Sequence, residues 1–211
     1  EVSVVTPSQA TAVLADEVRT GSLIFSQGDC LAVKAYSASR YTHVATVVVE
    51  DNGIYCYDST AGIGVRKLPL AEYVQSQRQA VLHPYHPQTP FTPEQTRQVA
   101  DHLDSQLGRP YGITHHMSGR RATGLHCAEY ATDGLIACGI LQAKAPARVS
   151  PASLAVGILK ADLYAATDSL QLAPEPTPVP VDEGCCARLW RETCLCTGAC
   201  YRQLLAWFCC K

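Results

Sequence analysis

The sequence predicts an α+β fold, a small antiparallel sheet packed on helices, followed by a cysteine-rich C-terminal tail. Three observations carry this. His43 to Glu50 reads HVATVVVE and stops at Asp51-Asn52-Gly53; β-branched runs favour strands, and Asn and Gly tolerate the positive φ of hairpin turns. Thr92-Pro93-Glu94-Gln95 joins an N-cap, a proline at the first helical position and a capping-box glutamine, which together open a helix. Ala173 to Gly184 reads APEPTPVPVDEG, with four prolines in alternation. That composition makes an extended linker, and it divides the chain into a domain over 1–172, a linker over 173–184 and a tail over 185–211.

The elements follow in order. Ser8 to Val18 suits a short helix capped by Ser8, and Ser22 to Ser26 reads as a strand after Thr20-Gly21. Leu31 to Ser37 has room for one or two helical turns. His43 to Glu50 pairs with Ile54 to Ser59 across the hairpin, and Gly62 to Val65 and Ala80 to His83 extend the sheet. In the helix after Thr92, Val99, Leu103 and Leu107 form an apolar stripe, and Gly108 followed by Pro110 stops it. A loop rich in Gly, His and Arg runs from Tyr111 to His126. Cys127 to Cys138 is a second helix ending at Gly139, Ser150-Pro151 caps a third, and Leu163 to Ala166 is a last strand.

Composition narrows the function classes. The chain has 211 residues, 47% hydrophobic and 17% charged, which belongs to one globular domain with appendages. A formal net charge of -2 with scattered basic residues offers no attraction to a phosphate backbone, so nucleic acid is not an expected partner. No apolar run approaches the roughly 18 residues that cross a bilayer. No signal peptide is visible at the N-terminus; this reading leaves open a leader removed before Glu1 and expects a soluble chain exported or delivered out of the producing cell.

A thiol hydrolase needs a thiolate, a base, a group that orients the base, and donors for the developing oxyanion. Cys127 stands at the start of a helix, where free N-H groups and the dipole favour a thiolate; its own backbone N-H is a candidate oxyanion donor. His43 begins a strand directly after a loop, which lets an imidazole at a sheet edge face a helix N-terminus. Asp58, on the hairpin partner, can accept the other imidazole N-H, and it ranks ahead of Tyr57 for that role. Taken singly, each has a plain alternative: a Cys at a helix start is more often a small buried hydrophobe, a His before a strand a surface residue, and an Asp there a turn residue. His126 is a rival base, although neighbours on a chain entering a helix point in different directions. Tyr111, Tyr57 and His126 are candidates to line a substrate cleft, with His115-His116 in the same loop. His115, His116, His126 and Cys127 lack the paired spacing of zinc sites and no HExxH occurs, so neither a metal nor another cofactor is expected.

The strings TGSLIFS, YTHVATVVVEDNGIYCYDSTAGIGV, LGRPYGI, LHCAEYATDGLIACG and SPASL, together spanning about Thr20 to Leu154, resemble the permuted NlpC-like, papain-fold cysteine hydrolases, the group of YiiX-like proteins and lecithin:retinol acyltransferase relatives. The resemblance implies a circularly permuted papain-like core in which the His strand precedes the Cys helix. It implies Cys127 as nucleophile, His43 as base, Asp58 where many relatives carry Glu, and Glu129 as the usual acidic residue after the nucleophile. Two positions depart from the pattern. Ser22 stands where relatives often have Asp, and His126 where an aromatic often precedes the nucleophile.

Of eleven cysteines, seven crowd between Cys185 and Cys210, in a tail that also carries Leu189, Trp190, Leu204, Leu205, Trp207 and Phe208. Disulfides, metal thiolates and a membrane-facing surface with acylated cysteines compete there, and the tail offers a surface for a membrane or protein partner. Three functions remain open: an amidase or peptidase acting on bacterial cell-wall peptides, a lipid acyl hydrolase or acyltransferase working through an acyl-Cys, and a non-catalytic binding module.

Overall fold

A β-meander organises the molecule. In the computed structural model, which describes residues 2–28, 40–77, 80–112 and 123–175 and, in the tail, 186, 188–190, 193–194, 196–198 and 200–201, β2 (Leu23–Gln27), β3 (His43–Glu50), β4 (Gly53–Thr60) and β5 (Gly64–Pro69) lie side by side. The β3–β4 hairpin closes with Glu50 opposite Gly53, leaving Asp51-Asn52 as the turn. Among the described residues Asn52 keeps a negative φ, and Gly53 alone carries the positive φ expected of both. β6 (Val81–Pro87) joins β2 from the other side. The sheet then continues through β7 (Tyr164–Ala166), β8 (Ser169–Leu172) and β1 (Val2–Val5), the last two parallel.

Helices cover both faces. α1 (Pro7–Glu17) and α2 (Leu70–Ser76) pack on Ile24, Ala45, Val47, Cys56, Leu82 and Leu170. α3 (Pro93–Ser105), α4 (Cys127–Ala137) and α5 (Pro151–Lys160) pack on the alternate residues, among them Leu23, Phe25, Val44, Val48 and Tyr57. Strand residues alternate between faces, which is why both sets are apolar and the central strands read as continuous hydrophobic runs.

The capping motifs work as their chemistry requires. Thr92 and Gln95 exchange both capping-box bonds at α3, and Ser150 with Ser153 does the same at α5. α1 is capped by Thr6 rather than by Ser8, because Thr6-Pro7-Ser8-Gln9 repeats the Thr-Pro-x-Gln pattern of α3. In α3, Val99 and Leu103 are fully buried, each contributing about 1.5–3 kcal/mol. Leu107 lies beyond the helix end and is exposed, since Gly108 takes a φ of 79° and turns the chain away.

Other boundaries shift for identifiable reasons. β6 runs past His83 through Pro84, which still pairs with Ile24 while its carbonyl accepts from the Thr167 amide; proline argues against a strand only where its missing N-H is needed. β5 starts at Gly64 and reaches Pro69. β1, α2 and β8 answer to no strong local signal. The linker is anchored at its beginning: the Ala173 amide donates to Val5, and the Ser8 amide to the Glu175 carboxylate. The expected turns at Leu31 to Ser37 lie outside the described residues. The described tail residues are helical and exposed.

One clasp sets where α4 begins. The Leu125 amide donates to Pro110 at 3.0 Å and the Gly112 amide to Leu125 at 3.3 Å, while the Ser59 hydroxyl of β4 donates to the Leu125 carbonyl at 2.7 Å. The strands of this clasp approach so closely that a Cβ on Gly124 would sit 2.8 Å from the Gly112 nitrogen. Gly124→Ala is therefore expected to cost about 1–3 kcal/mol through forced backbone movement, read as a lowered urea midpoint. An unchanged midpoint would show that the clasp does not constrain the chain.

Candidate active site

Cys127 is the first residue of α4, so its sulfur sits beside unsatisfied amides at the positive end of a helix dipole. His126 is the N-cap. Its Nδ1 accepts the Glu129 amide at 3.3 Å, and its Nε2 donates to the Ala147 carbonyl at 3.1 Å. An imidazole thus fills a place usually given to Ser, Thr, Asp or Asn.

His43 opens β3 and hydrogen-bonds both ways, to Asp58 and to the Cys127 sulfur. Its Nε2 lies 2.9 Å from Asp58 Oδ2, and its side chain is 18% exposed against 1% for Asp58. Asp58 in turn accepts from Arg66, which stands opposite it on β5: Nε donates to Oδ1 at 2.7 Å and Nη2 to Oδ2 at 3.1 Å. A buried carboxylate needs such partners. Burial opposes the charge of Asp58, but His43 and Arg66 outweigh it and hold the carboxyl below its usual range.

The same balance charges the sulfur. Burial pushes the Cys127 thiol up, yet the His43 and His126 imidazoles overcome it and bring the thiol down to about 6. Burial likewise disfavours the His43 cation, which the Cys127 and Asp58 charges restore, raising it to about 10. Between these values thiolate and imidazolium coexist. Cys56 and Cys138 are buried too, and burial pushes both of those thiols up instead. Burial alone does not make a thiolate; a facing imidazole does.

The other expected site residues divide. Tyr111 bridges Leu125 at the clasp, and burial together with the Cys127 charge raises its phenol, so it stands by the pair. Tyr57 does not. As Asp58's neighbour on β4 it faces the other side of the sheet, where its hydroxyl donates to Asp104 at 2.9 Å and Lys67 lies over its ring at 5.3 Å. His126 is 4% exposed with both nitrogens engaged, which makes it part of the site's frame. Glu129 is buried in the first turn of α4. Ser22 serves structure, with its hydroxyl 2.9 Å from His86 Nδ1 at the start of β2. His115 and His116 lie outside the described residues. Arg66 was not foreseen; its signal was the register, since Asp58 and Arg66 sit symmetrically about the 61–63 turn.

A sheet whose His strand precedes the Cys helix, with the helix start against that strand, is a permuted papain-like arrangement, and the chain is a cysteine hydrolase. It belongs to the permuted papain-like amidase enzyme family, YaeF/YiiX, C92, whose profile matches residues 17–131. Among solved structures, the crystal structure of metalloprotein yiiX from Escherichia coli O157:H7 is similar in fold, with a TM-score of 0.51 and 18% identity over 58% of this chain and 67% of that one. No curated protein matches. That neighbour is titled a metalloprotein; among the described residues here, no three His, Cys, Asp or Glu side chains are grouped to hold an ion.

Iodoacetamide should modify Cys127 with a rate half-maximal near pH 6, followed residue by residue by mass spectrometry alongside the exposed Cys186, Cys194, Cys196 and Cys200. His43→Asn should raise that midpoint and slow the reaction at pH 7 by about 10–100-fold. Equal rates in the two proteins would show that the imidazole does not sustain the thiolate.

Proposed function

We propose that the chain hydrolyses amide bonds of peptides through Cys127, with His43 as base and acid and Asp58 as the group that orients it. The observation that carries this reading is the unbroken chain of contacts Arg66, Asp58, His43, Cys127. The thiolate attacks the amide carbon, and the carbonyl electron pair moves to oxygen beside the Cys127 backbone N-H at the helix start. Collapse expels the amine, which takes its proton from the His43 imidazolium. Water then attacks the thioester while His43 accepts its proton, and the carboxylic acid leaves with the thiolate regenerated. Asp58 holds the imidazole in one tautomer, with Nε2-H bonded and Nδ1 toward sulfur. Tyr111 lines the cleft. Positions 1–172 form the catalytic unit, 173–184 the linker and 185–211 an accessory tail.

Cell-wall peptides are the substrate class this reading favours, on the resemblance to NlpC-like hydrolases and on the amidase family, and export or delivery would bring the enzyme to them. A second reading, acyl transfer from lipid esters through an acyl-Cys127, is favoured by the exposed Leu189, Trp190 and Tyr201 of the tail, a surface suited to lipid or a protein partner.

With muropeptides as substrate, Cys127→Ala should abolish amide cleavage while the fold persists, and Asp58→Asn should lower kcat on the order of 10²–10⁴-fold. Cleavage retained by Cys127→Ala would overturn the nucleophile assignment. Intact-mass detection of an acyl adduct on Cys127 with phospholipid, and none with peptides, would establish the second reading in place of the first.

A further inference from the structure

Helices α1, α3 and α5 begin at an oxygen cap closed by a capping box, Thr6, Thr92 and Ser150. α4 begins at an imidazole. An oxygen would take the Glu129 amide equally well. What an imidazole adds is a nitrogen that changes from acceptor to donor when it takes up a proton, here within hydrogen-bonding contact of the Cys127 sulfur.

The two states of Nδ1 exclude each other. With Nε2-H on the Ala147 carbonyl, neutral His126 keeps a lone pair on Nδ1 and caps the helix by accepting from Glu129. Protonated His126 has no lone pair there, gives up that amide, and presents an N-H to the adjacent thiolate. The buried surroundings suit the cation. Glu129 Oε2 lies 4.0 Å from Nε2, and the groups facing the ring are Cys127 and Glu129 on α4, Ala147 on the 3-10 turn Pro146–Arg148 and, across the shared sulfur, His43 on β3.

We propose that His126 is a second partner of the Cys127 thiolate, a charge-dependent donor that exchanges its capping bond for a bond to sulfur and so keeps the nucleophile ionised at lower pH than His43 alone sustains. This deepens the hydrolase reading and rests on it for its consequence in turnover, but the thiolate itself is observable without substrate. Burial disfavours the His126 cation, and the Cys127 sulfur and Glu129 restore it, so the group is raised in the direction this exchange requires.

The test separates capping from charge. Asn caps well but cannot take up the proton, whereas Ala does neither. In the full chain, His126→Asn should keep its melting temperature yet move the pH midpoint of Cys127 alkylation by iodoacetamide upward by about one unit, a rate roughly tenfold lower on the acid side. His126→Ala should show the same shift together with a lowered melting temperature. A wild-type alkylation profile in His126→Asn would overturn the proposal and leave His126 as a cap only. Should either variant fail to fold, NMR of the His126 ring decides: its titration midpoint should fall when Cys127 is replaced by Ala, and an unmoved midpoint overturns the proposal. If peptide cleavage fails while the alkylation shift is present, the hydrolase reading falls and this inference stands. If cleavage is intact and the shift absent, the reverse holds.

Discussion

A carboxylate with no access to water has to be neutralised by what surrounds it, and the fold around Asp58 is arranged to that end. The strand order β3–β4–β5 places a histidine on one side of this residue and an arginine on the other. Remove either partner and an uncompensated charge remains in the interior, which is far costlier than the gain from any single surface pair. With both present, the carboxylate stays charged, the imidazole is held in one orientation, and the positive charge this stabilises lies against the sulfur at the start of α4. The electrostatics of the sulfur therefore begin two strands away from it.

The clasp between 110–112 and 124–125 complements this chain of charges. It fixes where α4 starts, and the Ser59 hydroxyl ties that start to β4. At the other end of the contact, the Tyr130 hydroxyl reaches the Leu103 carbonyl at 2.7 Å and joins α4 to α3. Position and charge are thus imposed by different elements: the meander supplies the ions, and the loop and helix packing supply the placement.

Much of the site was legible because its residues stand inside strong local patterns. His43 opens the longest β-branched run, Asp58 lies on its hairpin partner, and Cys127 starts an apolar helix ending at Gly139, all recovered with nearly the same boundaries. Arg66 escaped because the strand was taken to end at Val65, and a one-residue difference in extent removed the partner of the buried acid. Tyr57 shows the converse. It neighbours Asp58 in sequence, but successive strand residues face opposite sides, and adjacency along the chain became separation across the sheet. His126 was weighed as a base or cleft residue, whereas its Ala147 partner, 21 positions away, makes it part of the helix cap.

By itself the amino-acid sequence determined the features that neighbouring residues settle among themselves: three oxygen-capped helix starts of the Thr-Pro or Ser-Pro type, the hairpin, the proline-rich boundary at Ala173, and the residue types able to form a thiol-imidazole pair. Only the tertiary structure decided which acids and bases touch, that β1 and β8 run parallel at the sheet's edge, and that one of three described buried thiols in the core is ionised. The physical reason is range. Caps and turns are made by groups a few bonds apart, while a pKa is set by burial and by charges that arrive from distant segments through strand register and helix placement.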